Sequence, residues 1–109
     1  NGYTSEKDQS DIELAASANF SWNLPTDYIK STKDFWATSS HHITVGGTIT
    51  PTGKILRVGI IEPDGIRRCI YATGNFSYNF PLYKTGFYCV YAINDNSEVV
   101  NLSGTYSTY

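Results

Sequence analysis

The twenty residues KILRVGIIEPDGIRRCIYAT, positions 54–73, read as two strands joined by a turn. Ile55, Leu56, Val58, Ile60 and Ile61 make the first half the most apolar run of the chain. Branched side chains of this kind fit a pleated surface better than a helix. Pro63-Asp64-Gly65 supplies a turn with a mechanism: proline presets φ, and glycine accepts the positive φ of a tight reversal. The stretch is therefore a hairpin, with residues 54–62 paired to residues 67–73.

The same logic extends in both directions. Upstream, Phe20, Trp22 and Leu24 alternate with Asn19, Ser21 and Asn23, a period of two that marks a half-buried strand. Pro25 ends it, residues 25–33 read as a loop or a poor edge segment, and a short strand is expected at 34–38. A longer one follows at 42–50, where the pair Gly46-Gly47 signals a bulge or a close backbone approach. Downstream, strands are expected at 75–80, 86–94 and 98–107, with Asp95-Asn96-Ser97 turning the chain into the last. Strands at this spacing, with no segment fit for a ten-residue helix, predict an all-β antiparallel sandwich of about seven strands. Residues 1–11 carry three of the ten acids and read as a flexible tail; residues 12–109 read as one sandwich domain, with Ile12, Leu14 and Ala16 alternating weakly at its start.

Composition narrows the class. At 109 residues the chain suits one domain with its own core. Charged residues are only 17%, against about 25% in an average soluble domain, so Ser, Thr and Asn must cover the surface. That is the composition of a β-rich extracellular module, and with the start at Asn1 it predicts a secreted or cell-surface protein. The net charge of −2, with scattered basic residues, argues against nucleic acid, and no apolar run reaches the length of a membrane span. Asn-x-Ser sequons at Asn19, Asn75 and Asn101 are near the number chance would supply.

Two resemblances follow from particular residues. In KTGFYCVYAIN, positions 84–94, Gly86, Tyr88 and Val90 resemble the Gly-x-Tyr-x-Val strand of immunoglobulin-like sandwiches. The resemblance implies that Tyr88, Val90 and Ala92 face the core and that the Tyr88 hydroxyl reaches an upstream backbone group. Phe87, Cys89 and Tyr91 then face outward, so Cys89 is out of phase for an antibody-type disulfide. Residues 43–106 resemble small secreted bacterial β-sandwich modules of the pre-peptidase C-terminal type, through the Thr-rich first strand, the Pro-Asp-Gly turn and the final Gly-Thr-Tyr. The implied fold is immunoglobulin-like or jelly-roll-like, and the resemblance carries architecture and export rather than an activity.

Candidate chemistry is sparse. Cys69 and Cys89 are either a disulfide, as an even cysteine count outside the cell invites, or two separate thiols, as an intervening strand 54–62 would require. His41-His42 point to opposite sides of a strand and do not make a metal site; no metal or other cofactor is expected. Asn94-Asp95-Asn96-Ser97-Glu98 is oxygen-rich, but a turn explains it better than calcium. No catalytic residue is assigned.

The sixteen aromatics are the strongest functional signal. Tyr71, Phe87 and Tyr91 on one outer face would form an exposed aromatic platform; alternatively, the segment bearing Phe20, Trp22, Phe35 and Trp36 folds over that face and buries it. The expectation is a non-catalytic binding or structural module, with a carbohydrate-binding module or an adhesive protein-interaction domain as the specific alternatives, and carbohydrate or another surface protein as partner.

Overall fold

The computed structural model describes residues 2–8 and 17–109. Ten strands occur there: β1 (Thr4–Lys7), β2 (Ser17–Leu24), β3 (Tyr28–Ser31), β4 (Phe35–Ala37), β5 (His42–Thr50), β6 (Ile55–Ile61), β7 (Arg67–Thr73), β8 (Asn75–Pro81), β9 (Gly86–Ile93) and β10 (Val100–Thr108). They form two sheets of a sandwich, in the orders β1-β3-β9-β6-β7, with β4 also on β9, and β2-β10-β5-β8. All pairs are antiparallel except β1 with β3.

The strands of the opening hairpin pair as expected, from Ile55↔Thr73 to Ile61↔Arg67, with Gly65 at φ 89°. The expected count of about seven rises to ten with three short strands, of which β4 matches the strand expected at 34–38 and the other two lack an alternating run. Two of them, β3 and β4, lie one after the other along β9. Thr32, between them, keeps the edge closed: its amide donates to the Val90 carbonyl, and its hydroxyl accepts from the Val90 amide at 3.0 Å. The third, β1, lies in the stretch read as a tail. Backbone pairing to β3 and the ion pairs Glu6–Lys30 and Lys7–Asp34 hold it there. The boundary at residues 11 and 12 and the alternation of Ile12, Leu14 and Ala16 lie outside the described residues.

Inward positions of both sheets build one core. Phe20, Trp22 and Leu24 of β2 meet Leu56, Val58 and Ile60 of β6, and Tyr88, Val90 and Ala92 of β9. Fully burying a Leu, Ile or Val side chain contributes about 1.5–3 kcal/mol, so this interface is the main source of stability. Phe35 stacks on Tyr106, with ring centroids 4.4 Å apart and planes 15° from parallel. The Tyr88 hydroxyl donates to the Lys84 carbonyl, as the resemblance to immunoglobulin-like sandwiches implies.

Gly46-Gly47 introduces no bulge, since both residues pair in continuous register with β10 and β8. The requirement is close approach: a Cβ on Gly47 would lie 2.4 Å from the Ser103 carbonyl oxygen. Gly59 is tighter still, with its would-be Cβ 1.9 Å from the Arg68 carbonyl oxygen. Gly59→Ala must push β6 and β7 apart, and the expected cost is about 2–3 kcal/mol. Urea unfolding should show it as a lower midpoint with an unchanged slope.

Candidate functional site

Strand β9 decides what the outer face of the first sheet offers. Its outward residues are Phe87, Cys89, Tyr91 and Ile93. Phe87 is 57% exposed, but Cys89, Tyr91 and Ile93 are buried. Ile29, Tyr91 and Ile93 form a small second core, with Ile61 packed against it. The Arg67 guanidinium stands 5.5 Å from the centre of the Tyr91 ring. In register Tyr91 lies across Gly59 from Cys69. Burial, reinforced by the neighbouring Cys69 thiol, raises the Tyr91 phenol above its ordinary pKa.

The three aromatics expected as a platform are therefore not together. Tyr71 is 74% exposed at the β7 edge. It shares a register row with Arg57 and Ile93, six residues along β9 from Phe87, or about 20 Å at the rise of a strand. Tyr91, between them along β9, is buried. The covering segment read from the sequence takes a different course too. Phe20, Trp22 and Phe35 enter the main core, whereas Trp36 stays exposed beside Phe87. Those two rings meet edge to face, with centroids 5.1 Å apart and planes at 80°. Pro63 packs against Gly86, one residue from Phe87, extending this apolar corner toward the hairpin turn. Trp36 takes the phase opposite to its buried neighbours Phe35 and Ala37, and the pairing Trp36↔Phe87 sets its ring beside Phe87 in water.

Cys69 and Cys89 are free thiols, exposed and buried respectively, and β6 lies between their strands. Burial pushes the Cys89 thiol up, so it is a poor nucleophile. His42 stacks on Tyr109 and His41 accepts the Thr38 amide through Nδ1. Among the described residues no group of three His, Cys, Asp or Glu is placed to hold a metal. The oxygen-rich turn is structural: buried Asn94 donates to the Leu24 and Glu98 carbonyls, and its Oδ1 accepts from Asn96. Glu62, a buried carboxylate, is held by Lys84 at 2.7 Å and Arg68 at 3.1 Å, while Lys84 also pairs with Asp64.

The second sheet presents a different surface. Strands β2, β5, β8 and β10 contain no Asp, Glu, Lys or Arg. Their outward positions are Ser, Thr, Asn and Gly, apart from His42 at the start of β5 and Pro81 at the end of β8. All three sequons lie here, because Asn and Ser two apart on a strand share a face. A shallow cleft of about 370 Å³ opens on this face, lined by Asn19, Phe20, Ser21, Gly47, Ser103, Gly104 and Thr105.

The fold has known counterparts. A periplasmic inhibitor of g-type lysozyme from Aeromonas hydrophila superposes with a TM-score of 0.67 at 16% identity, covering 99% of this chain and 98% of that one. A mutant of the Escherichia coli inhibitor of g-type lysozyme gives 0.63 at 14%, covering 97% and 99%. The pre-peptidase C-terminal domain of a Bacillus anthracis collagenase gives 0.62 at 12%, covering 100% and 98%. No protein-family model and no curated protein matches the sequence. At these identities the likeness is one of fold, and it bears out the architecture read from residues 43–106. Among the described residues no helix is long and apolar enough to cross a membrane.

At the open end of the first sheet, Arg57 grips Asp95 through two hydrogen bonds of 2.8 and 3.0 Å, and Tyr3 donates its hydroxyl to the same carboxylate. Arg57 foremost, and Tyr3 with it, hold the Asp95 carboxyl below its ordinary pKa. A carboxyl depressed in the folded state contributes stability above its unfolded pKa and loses it as pH falls through the folded value. The tie between β1 and the Asp95 turn should therefore persist from neutral pH to about pH 4 and loosen below. Hydrogen exchange of the β1 amides checks this: protection should fall in acid in the wild type and be reduced already at pH 7 in Asp95→Asn.

Proposed function

We propose that this chain is an extracytoplasmic bacterial binding module without catalytic activity, and that its partner is a protein docked at the Trp36–Phe87 corner. The exposed edge-to-face aromatic pair carries this reading. Large aromatic side chains left in water are the usual anchors of protein interfaces, with polar groups around them. Here the Lys84–Asp64 pair lies beside the Pro63 turn. A sugar platform needs rings that lie flat under one chain, and planes at 80° do not offer that. Strand β4 adds a second attraction, because among the described residues only β9 pairs with it. A partner strand can therefore add to its open edge beside Trp36.

The specific partner we favour is a g-type lysozyme. Support comes from the full-length likeness to two inhibitors of that enzyme. The non-catalytic reading is supported by the side chains most able to do chemistry. The Glu62 carboxylate is tied into ion pairs, and the Cys89 thiol is raised by burial.

Inhibition of g-type lysozyme in a cell-wall lysis assay tests the reading. Saturable inhibition at micromolar or lower concentration is expected, and Trp36→Ala should weaken it at least tenfold, about 1.4 kcal/mol or more. Its melting temperature should stay within a degree or two, since the ring is largely in water. No inhibition at any concentration removes the lysozyme assignment; equal inhibition by Trp36→Ala and Phe87→Ser removes the corner.

A further inference from the structure

We infer that the outer face of the β2-β10-β5-β8 sheet is a binding surface for a neutral oligosaccharide, seated in the cleft between Asn19, Ser21, Ser103 and Thr105. This site is on the opposite side of the sandwich from the Trp36–Phe87 corner and does not depend on it.

The register explains the cleft. Phe20, Gly104 and Gly47 stand opposite one another across three strands. Phe20 turns its ring inward, and Gly47 and Gly104 share that inward phase, so the floor is backbone. One wall is the row Ser21–Ser103–Thr48, and the other is Asn19–Thr105–Gly46. Gly46 leaves that second wall open toward Ser77 of β8. Elsewhere on the face, side chains satisfy one another: Asn23 donates to Asn101 at 2.9 Å, and Thr48 bonds Asn75 at 2.7 Å. The side chains of Asn19, Ser21, Ser103 and Thr105 make no hydrogen bond to a described residue. Their hydroxyls and amide therefore remain available to a ligand.

Chemistry selects that ligand. A hydroxyl both donates and accepts, and an amide offers two donors and an acceptor, the same mixture a sugar ring presents. Four strands without a cation exclude polyanions, whose binding rests on Lys and Arg. Face-to-face packing with a second copy would set Ser, Thr and Asn against their own kind, at about 1–3 kcal/mol for each group left unpaired. A glycan brings its own donors and acceptors to every one. The volume, about 370 Å³, lies at the small end of ligand sites. The exposed Tyr109 ring, stacked on His42, lies outside the cleft, and with no exposed ring in the cleft itself the affinity should be modest, with Kd from about 0.1 to 1 mM.

The test is a titration of the isotope-labelled protein with hexasaccharides of β-1,4-linked glucose, xylose or N-acetylglucosamine, followed by amide chemical shifts. Saturable shifts confined to residues around 19–21, 46–48 and 103–105 are expected for at least one of the three. Ser103→Lys, at an exposed position, should weaken binding at least tenfold while leaving the spectrum folded, and Trp36→Ala should leave it unchanged. The inference is overturned if no hexasaccharide shifts these amides at about 10 mM, or if an anionic hexuronate binds as well as the neutral sugars. It is equally overturned if the same amides shift with protein concentration alone, which would make the face a self-association surface.

Discussion

Burial of β9 on both of its faces is the constraint on which the molecule depends. Its inner side chains, Tyr88, Val90 and Ala92, close the core between the sheets. Its outer ones, Cys89, Tyr91 and Ile93, are covered as well. The inner face is secured by the opposing sheet, but the outer face has no second layer. It is covered instead by neighbouring strands and long side chains: Ile29 from β3, Ile61 from β6 and the Arg67 guanidinium over Tyr91. An arginine can do this because its stem covers apolar surface while its charged head stays in water. Only at Phe87, where β9 begins, does the covering run out, and there the ring of Trp36 meets it.

The two sheets differ in kind. Charged groups and ion pairs such as Arg57–Asp95, Arg68–Glu62 and Lys7–Asp34 cluster on and around the first sheet. The second sheet has none of these groups in its strands. Exposed ion pairs add little stability individually, so the segregation has little bearing on how firmly the sandwich holds. It bears on recognition: one side has an aromatic corner bordered by charge, the other a neutral lattice of hydroxyls and amides. The fold is shared with modules that serve different ends, and function must be read from such surfaces rather than from the sandwich.

Much of this was legible from alternation. The phases of Phe20, Trp22 and Leu24 and the turn at Gly65 follow from period-two patterning and turn chemistry, whereas the phase of Tyr88, Val90 and Ala92 and the upstream reach of the Tyr88 hydroxyl were implied by the resemblance to immunoglobulin-like sandwiches. Strands β1 and β3 were not legible, because four residues cannot display a period and their hydrogen bonds are supplied by β9 or by one another, whereas the short β4 was legible at 34–38. That the Trp36 ring stays in water depends on its pairing with β9, which no local pattern carries. The polar cleft left a trace that went unread: Asn, Ser and Thr recur at every second position in four strands with no charge among them.

The sequence by itself determined that the chain is all-β, because side chains two apart on a strand share a face and apolar and polar positions alternate between turn residues in most of its strands. Which face of β9 meets the core followed from the resemblance of Gly86, Tyr88 and Val90 to immunoglobulin-like sandwiches. Tertiary structure decided which outward side chains remain in water. Tyr91 and Tyr71 have the same phase and similar chemistry, yet one lies mid-sheet beneath Arg67 and the other on β7, the last strand of its sheet among the described residues. Strand order sets that difference, and it arises from pairings between residues far apart in the chain, which no local pattern encodes.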